Sequence, residues 1–234
     1  MKIFAHRGLS AVYPENTLLA FSKAMEYKID GIETDVQMTK DGELVIFHDE
    51  RIDRTTNGHG FIKDYTLDEL KKFNANNKMD YQVEIPTLEE FLSLVENSDI
   101  TINLELKTSI FEYDGIEKKT LDLIRKHNME ERIIISSFNH QSLLRMKALA
   151  PEITCGVLTG DVLIDGEEYV KSHGFEAFHP MFVYCTKERV SLAHELGVAM
   201  NVWTVDWKEQ FDMLKEMGVD VIMTNRCHEF CEKK

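Results

Sequence analysis

Residues 31–49 read GIETDVQMTKDGELVIFHD. Ile32, Thr34 and Val36 alternate with Glu33, Asp35 and Gln37, and residues two apart on a strand share a face. Glu33 and Asp35 therefore project side by side, with apolar and β-branched residues on the opposite face. Lys40-Asp41-Gly42 is a turn signal. Leu44 to Phe47 form a second apolar run that ends at His48-Asp49. Two neighbouring carboxylates repel each other, so they need a cation or a proton beside them.

Working outward, strand-like runs recur at Ile3–Ala5, Ile100–Leu106, Ile133–Ser137, Ile153–Leu158, Glu176–His179, Val198–Val205 and Val219–Met223. Helical spacing of apolar residues separates them: 17–25, 88–95, 116–127, 139–150, 166–173, 187–196 and 208–217. Alternation of this kind implies parallel strands with crossover helices. With residues 31–49 counted as one barrel position and its extension, eight units predict a closed (β/α)8 barrel, the TIM barrel; a doubly wound open sheet is the alternative. Residues 50–84 lose the pattern except for a short helix at Thr66–Phe73, where Thr66 and Glu69 form a capping box. This segment is expected to be a small insertion after the second strand, within a single domain spanning 1–234.

The net charge of −14 argues against nucleic acid or an anionic membrane as partner. No apolar run reaches the roughly 20 residues of a membrane span. The first residues are too briefly apolar for a signal peptide. Cys155, Cys185, Cys227 and Cys231 form no disulfide framework, which points to a reducing cytoplasm. The spacing Cys227-His228-x-x-Cys231 is not a usual zinc pattern. The sequence is compatible with a homo-oligomer without specifying one.

A barrel of this kind builds its active site at the C-terminal ends of its strands. Those ends carry His6-Arg7, Glu33 and Asp35, His48, Glu105 and Lys107, Ser136-Ser137, His179, Asn201 and Trp203, and Thr224-Asn225. Glu33, Asp35 and Glu105 are three oxygen donors, a set that suits Mg²⁺ or Ca²⁺ better than zinc. Arg7 and Lys107 add fixed positive charge, which suits a phosphate. His6 and His48 can serve as general acid and base near neutral pH. Asp206 is expected to cap the helix that follows it.

The ordered set His6-Arg7-Gly8, Pro14-Glu15-Asn16-Thr17, Glu33-x-Asp35, His48-Asp49, Glu105-Leu106-Lys107 and Trp203-Thr204 resembles the glycerophosphodiester phosphodiesterases from Ile3 to about Asn225. The resemblance implies a TIM barrel with one divalent cation. It implies cleavage of a small-molecule glycerophosphodiester, such as glycerophosphocholine or glycerophosphoethanolamine, to sn-glycerol 3-phosphate and an alcohol. It assigns Glu33, Asp35 and Glu105 to the metal, His6 and His48 to acid–base catalysis, and Arg7 and Lys107 to the phosphate. Trp203 would pack against the glycerol, and Asn16 would orient a catalytic side chain or a phosphate oxygen. Attack by the substrate's own glycerol hydroxyl would give a cyclic phosphate that water then opens. The alternatives are a phospholipase D-like lyase that releases a cyclic phosphate from lysolipids, and a non-catalytic barrel that binds phosphodiesters. Asp206 and Arg226-Cys227 depart from the residues common at those points of the family.

Overall fold

Eight strands and their intervening helices arrange as a closed parallel barrel in this computed structural model, which describes residues 1–76 and 79–234. The barrel strands are β1 (Lys2–His6), β2 (Gly31–Met38), β4 (Thr101–Leu106), β5 (Ile133–Ser137), β6 (Thr154–Thr159), β7 (Ala177–Pro180), β8 (Ala199–Val202) and β9 (Val221–Thr224). Each pairs in parallel with its neighbours, and β1 closes the ring by pairing with both β2 and β9. The remaining strand, β3 (Leu44–Ile46), is antiparallel and extends β2 past the ring. The closed TIM barrel expected from the alternation is therefore what the chain forms, and the open sheet is excluded.

Main helices follow the strands: α1 (Leu18–Ala24), α3 (Leu88–Val95), α4 (Ile116–Lys126), α5 (His140–Leu149), α6 (Gly166–Ser172), α7 (Lys187–Glu195) and α8 (Lys208–Met217). In α3, Leu88, Phe91, Leu92 and Val95 are buried at the spacing of one helical face. Thr87 and Glu90 close its first turn as a capping box, satisfying two backbone N–H groups. Burying each such side chain contributes about 1.5–3 kcal/mol. The outward faces of the barrel strands meet these helices in one continuous apolar cluster.

Residues 50–84 hold a short α2 (Leu67–Leu70) with the Thr66–Glu69 capping box read from the sequence. Ile52, Ile62, Leu70 and Ala75 from this stretch pack with Val45, Phe47 and Ile85 in a second apolar cluster. Residues 77 and 78 of the stretch lie outside the described residues.

Inside the barrel, Phe4, Val221 and Met223 pack with Ile134 and Trp203. A polar layer shares this interior: Asn103 donates to Ser136 Oγ over 3.0 Å, and Asn201 donates to His179 Nε2 over 2.9 Å. His179 is fully buried and faces Gly156, where a Cβ would land on its imidazole. Gly156→Ala is expected to lower stability by about 1–3 kcal/mol through overpacking. Its thermal midpoint should fall; an unchanged midpoint would contradict this packing.

Candidate active site

The parallel register brings the acidic residues together before any side chain is considered. Asp35 of β2 lies opposite Glu105 of β4, and Glu33 lies opposite His6 of β1. These neighbours point into the barrel mouth, and one oxygen from each of Glu33, Asp35 and Glu105 lies within 4.8 Å of the others. All three residues are buried.

The chain leaves β1 through a tight left-handed turn, with φ of 57° at Arg7 and 81° at Gly8. A Cβ on Gly8 would meet the backbone carbon of Ala20 at 2.6 Å, so only glycine fits between β1 and α1. The turn carries Arg7 back over β2: its backbone N–H donates to the Glu33 carbonyl at 2.8 Å, and its Nε lies 3.5 Å from Asp35 Oδ2. From the other side, Lys107 Nζ lies 2.8 Å from Glu105 Oε1 and 3.8 Å from Asp35 Oδ1. Asn16 donates to Asp35 Oδ2 over 2.8 Å and accepts from Thr34 over 2.8 Å. Asn16 thus orients an acidic side chain of the cluster.

Burial and the neighbouring Asp35 push the Glu33 carboxyl well above its ordinary range. Burial likewise raises Glu105, against the pull of Lys107. Burial acts the same way on Asp35, but Arg7, His48 and Lys107 overcome it and hold Asp35 below the usual range. Burial opposes the charge on Lys107, yet Glu105 and Asp35 raise its pKa above the ordinary lysine value. Three carboxylates this close form a coupled set whose proton affinity a cation would replace. The donor set fits a hard divalent cation: every donor is oxygen, and Asp35 Oδ1 is buried without a hydrogen-bond partner.

Two histidines flank the cluster. His6 Nε2 lies 3.7 Å from Glu33 Oε2, and its Nδ1 lies 2.7 Å from Asn225 Oδ1. Burial, then the charge of Arg7, lowers its pKa to about 4. His48 Nδ1 lies 2.6 Å from Asp49 Oδ1. Burial would raise the Asp49 pKa, but the hydrogen bonds from His48 and Arg54 hold it well below the usual range. His6, Arg7, Glu33, His48 and Glu105 line one side of a cavity of about 140 Å³. Phe138, Leu158, Trp203 and Met223 line the other, with the Phe138 and Trp203 rings edge-on at 5.6 Å. A larger cavity of about 700 Å³ opens at the opposite end of the barrel. Its carboxylates Glu176 and Asp220 are already held by Lys147 and His194, so it lacks the converging unpaired groups of the first.

All nine residues expected at the site converge on this mouth. The structure adds Arg54, which sequence reasoning did not single out. Arg54 donates to both carboxylate oxygens of Asp49 (2.6 and 2.9 Å) and both of Glu15 (2.8 and 2.7 Å). Glu15 in turn lies 2.9 Å from Arg7 Nη1. One guanidinium therefore links the partner of His48 to the partner of Arg7. Arg54→Ala is expected to lower kcat roughly 10-fold by loosening both, with a thermal midpoint close to wild type, because partly exposed ion pairs contribute only about 0–1 kcal/mol. Wild-type kcat in this variant would show that the link has no bearing on turnover.

Asp206 does not cap α8 as expected. The N-cap position is Trp207, and Gln210 Oε1 accepts from the backbone N–H groups of Asp206 and Trp207 instead. The Asp206 carboxylate is spent on β9 and its end, accepting from Thr224 Oγ1, Asn225 N and Asn225 Nδ2. No local pattern marks this contact, because residues 206 and 225 meet only through the pairing of β8 with β9.

Residues 6–229 match the model of the glycerophosphoryl diester phosphodiesterase family. Proteins named glycerophosphodiester phosphodiesterase from Caldanaerobacter subterraneus subsp. tengcongensis and Bacillus altitudinis are each 44% identical to the chain. The first aligns over 95% of this chain and 93% of its own length, the second over 96% and 94%. A phosphodiesterase of Oleispira antarctica, solved in complex with the product sn-glycerol-3-phosphate, has a TM-score of 0.88 at 29% identity, covering 98% of this chain and 94% of that one.

Proposed function

The chain belongs to the glycerophosphoryl diester phosphodiesterase family, and on that premise we propose that it hydrolyses glycerophosphodiesters to sn-glycerol 3-phosphate and an alcohol by histidine acid–base catalysis beside a divalent cation. Glu33, Asp35 and Glu105 would hold the cation, Mg²⁺ or Ca²⁺ by its all-oxygen donor set. When bound, the cation supplies positive charge that polarises the phosphate and stabilises the charge developing on it.

The observation that carries this proposal is the charge inventory of the mouth. Counting only the acidic cluster and its two adjoining cations, the three carboxylates in the ionised form that a bound cation would favour, against Arg7 and Lys107, leave one net negative charge. A divalent cation and a monoanionic diester together bring that to zero. Arg7 and Lys107 stand where they can hold phosphate oxygens, and Trp203 supplies an apolar wall for the glycerol carbons.

The two histidines differ in depth and partner, which divides their roles. The His6 side chain is 12% exposed and bonded to a neutral amide; that of His48 is 31% exposed and bonded to a carboxylate. We assign His6 as the base deep in the pocket. Its Nε2 takes the proton of the glycerol hydroxyl as that oxygen attacks phosphorus. A carboxylate partner stabilises an imidazolium, so His48 protonates the departing alcohol oxygen near the rim. In the second half His48 takes a proton from water, and His6 returns its proton to the glycerol oxygen as the cyclic ester opens. Every proton removed is thereby returned.

We read residues 50–84 as an insertion serving this site within one catalytic domain, because Arg54 reaches back from it to Asp49 and Glu15. No helix among the described residues is long and apolar enough to cross a membrane. A cytoplasmic location is proposed from the four free, scattered cysteines. The test is a panel of glycerophosphodiesters with choline, ethanolamine, glycerol and inositol alcohols, each run with Mg²⁺, Ca²⁺ or Mn²⁺ and coupled to detection of glycerol 3-phosphate. Release from at least one diester is expected; tight binding without release would favour a non-catalytic barrel.

A further inference from the structure

Asn225 stands between a carboxylate and a histidine, and its amide can face them in only one way. Asp206 Oδ2 lies 2.7 Å from one end of the amide and Asp206 Oδ1 accepts the Asn225 backbone N–H at 2.8 Å. An ionised carboxylate has no proton to give, so the end of the amide facing it must be the NH2 group. The carbonyl oxygen must then face the other way, where His6 Nδ1 lies at 2.7 Å and Ser10 Oγ at 2.8 Å. An acceptor at Nδ1 requires a proton on Nδ1. In neutral His6 the bare nitrogen is therefore Nε2, the one directed at Glu33 and the cavity.

From this chain of bonds we propose that Asp206 is a positioning residue that selects, through Asn225, the His6 tautomer with Nδ1 protonated and Nε2 free to accept a proton. The contact pattern supports this over a purely structural role. The Asp206 carboxylate uses both oxygens on the β9 terminus, and only the Asp206 backbone N–H meets the helix that follows, through Gln210. With an amide at position 206, the Asn225 side chain could turn over without losing a partner. It would then offer an NH2 to His6 and favour the opposite tautomer, whose Nε2 carries a proton and cannot act as base.

The test is Asp206→Asn, which keeps the shape and removes the acceptor-only character. Long-range ¹H–¹⁵N correlation spectra of histidine-labelled protein at pH 8 report which His6 nitrogen carries the proton, without reference to activity. Wild type is expected to show Nδ1–H, and the variant to show Nε2–H or a mixture. The kinetic arm rests on the proposed hydrolysis: kcat should fall roughly 10–100-fold, with KM within about twofold because the substituted residue itself touches no substrate atom. A wild-type spectrum showing Nε2–H would overturn the proposal even if the variant failed to fold. Retention of Nδ1–H and of kcat in the variant would also overturn it. Failure of wild type to turn over any diester would count against the hydrolysis, while the spectra would still decide the tautomer.

Discussion

Glu33→Gln is expected to abolish the response of this protein to divalent cations while leaving its cation-free stability nearly unchanged. Burial beside Asp35 pushes the Glu33 carboxyl well above its ordinary range, so without a cation its charge is disfavoured, and glutamine keeps its shape without that charge. The metal-free variant should therefore unfold within about 1 kcal/mol of wild type. Wild type should gain about 2.7 kcal/mol when a divalent cation is present at about 100 times its Kd, because only the folded state assembles the three donors. The variant should gain little. Losing an outer partner of a metal ligand already costs about 10–100-fold, so losing a ligand should lower activity by roughly 100-fold or more. Thermal melts with EDTA and with Mg²⁺ or Ca²⁺ separate the two effects. Equal stabilisation of both proteins by the cation would remove Glu33 from the metal site.

The second large effect concerns the leaving group. If His48 protonates the departing alcohol, its removal should matter in proportion to how much the alcohol needs that proton. His48→Ala is expected to lower kcat for glycerophosphocholine by about 10²–10⁴-fold. On a glycerophosphodiester of p-nitrophenol, whose phenolate departs without protonation, formation of the cyclic phosphate should recover most of that loss. His6→Ala should be comparably impaired on both substrates, because the attacking hydroxyl needs its base whichever group leaves. The depth of the two side chains predicts this asymmetry: His6 touches Glu33 inside the cavity, and His48 lies toward the rim on Asp49. Rescue of His6→Ala in place of His48→Ala would reverse the assignment.

The fold was legible because its signals are local. Strand alternation, turn residues and the Thr66 cap act within a few residues, and the Thr66–Glu69 capping box appears in the structure where expected. The acidic cluster was legible for a related reason: side chains at strand ends of a closed barrel share one mouth whatever the sequence distance between them. Thus Glu33, Asp35 and Glu105 could be grouped without a structure, although 72 positions separate the first from the last.

What remained hidden is what holds those residues in place. Asp206 looked like a helix cap because a carboxylate before a helix usually is one. Its Asn225 contact arises only from neighbouring strands at the end of the ring. Arg54 lay in a stretch without periodicity, and nothing in its surroundings distinguishes it from Arg51, which pairs locally with Asp53. Lys107, which could have been solvated, is nearly buried against Glu105, and Trp203 lines the cavity. Positioning groups of this kind depend on tertiary distance alone, so periodicity and motif do not reveal them.

The central claim is that this site cleaves a glycerophosphodiester with the help of a divalent cation. The most direct measurement is ³¹P NMR of glycerophosphocholine incubated with the protein, once with Mg²⁺ or Ca²⁺ and once with excess EDTA. The account predicts loss of the diester resonance and growth of a glycerol 3-phosphate resonance with the cation, and an unchanged spectrum with EDTA. Equal turnover in EDTA, or accumulation of a cyclic phosphate as the final product, would contradict it.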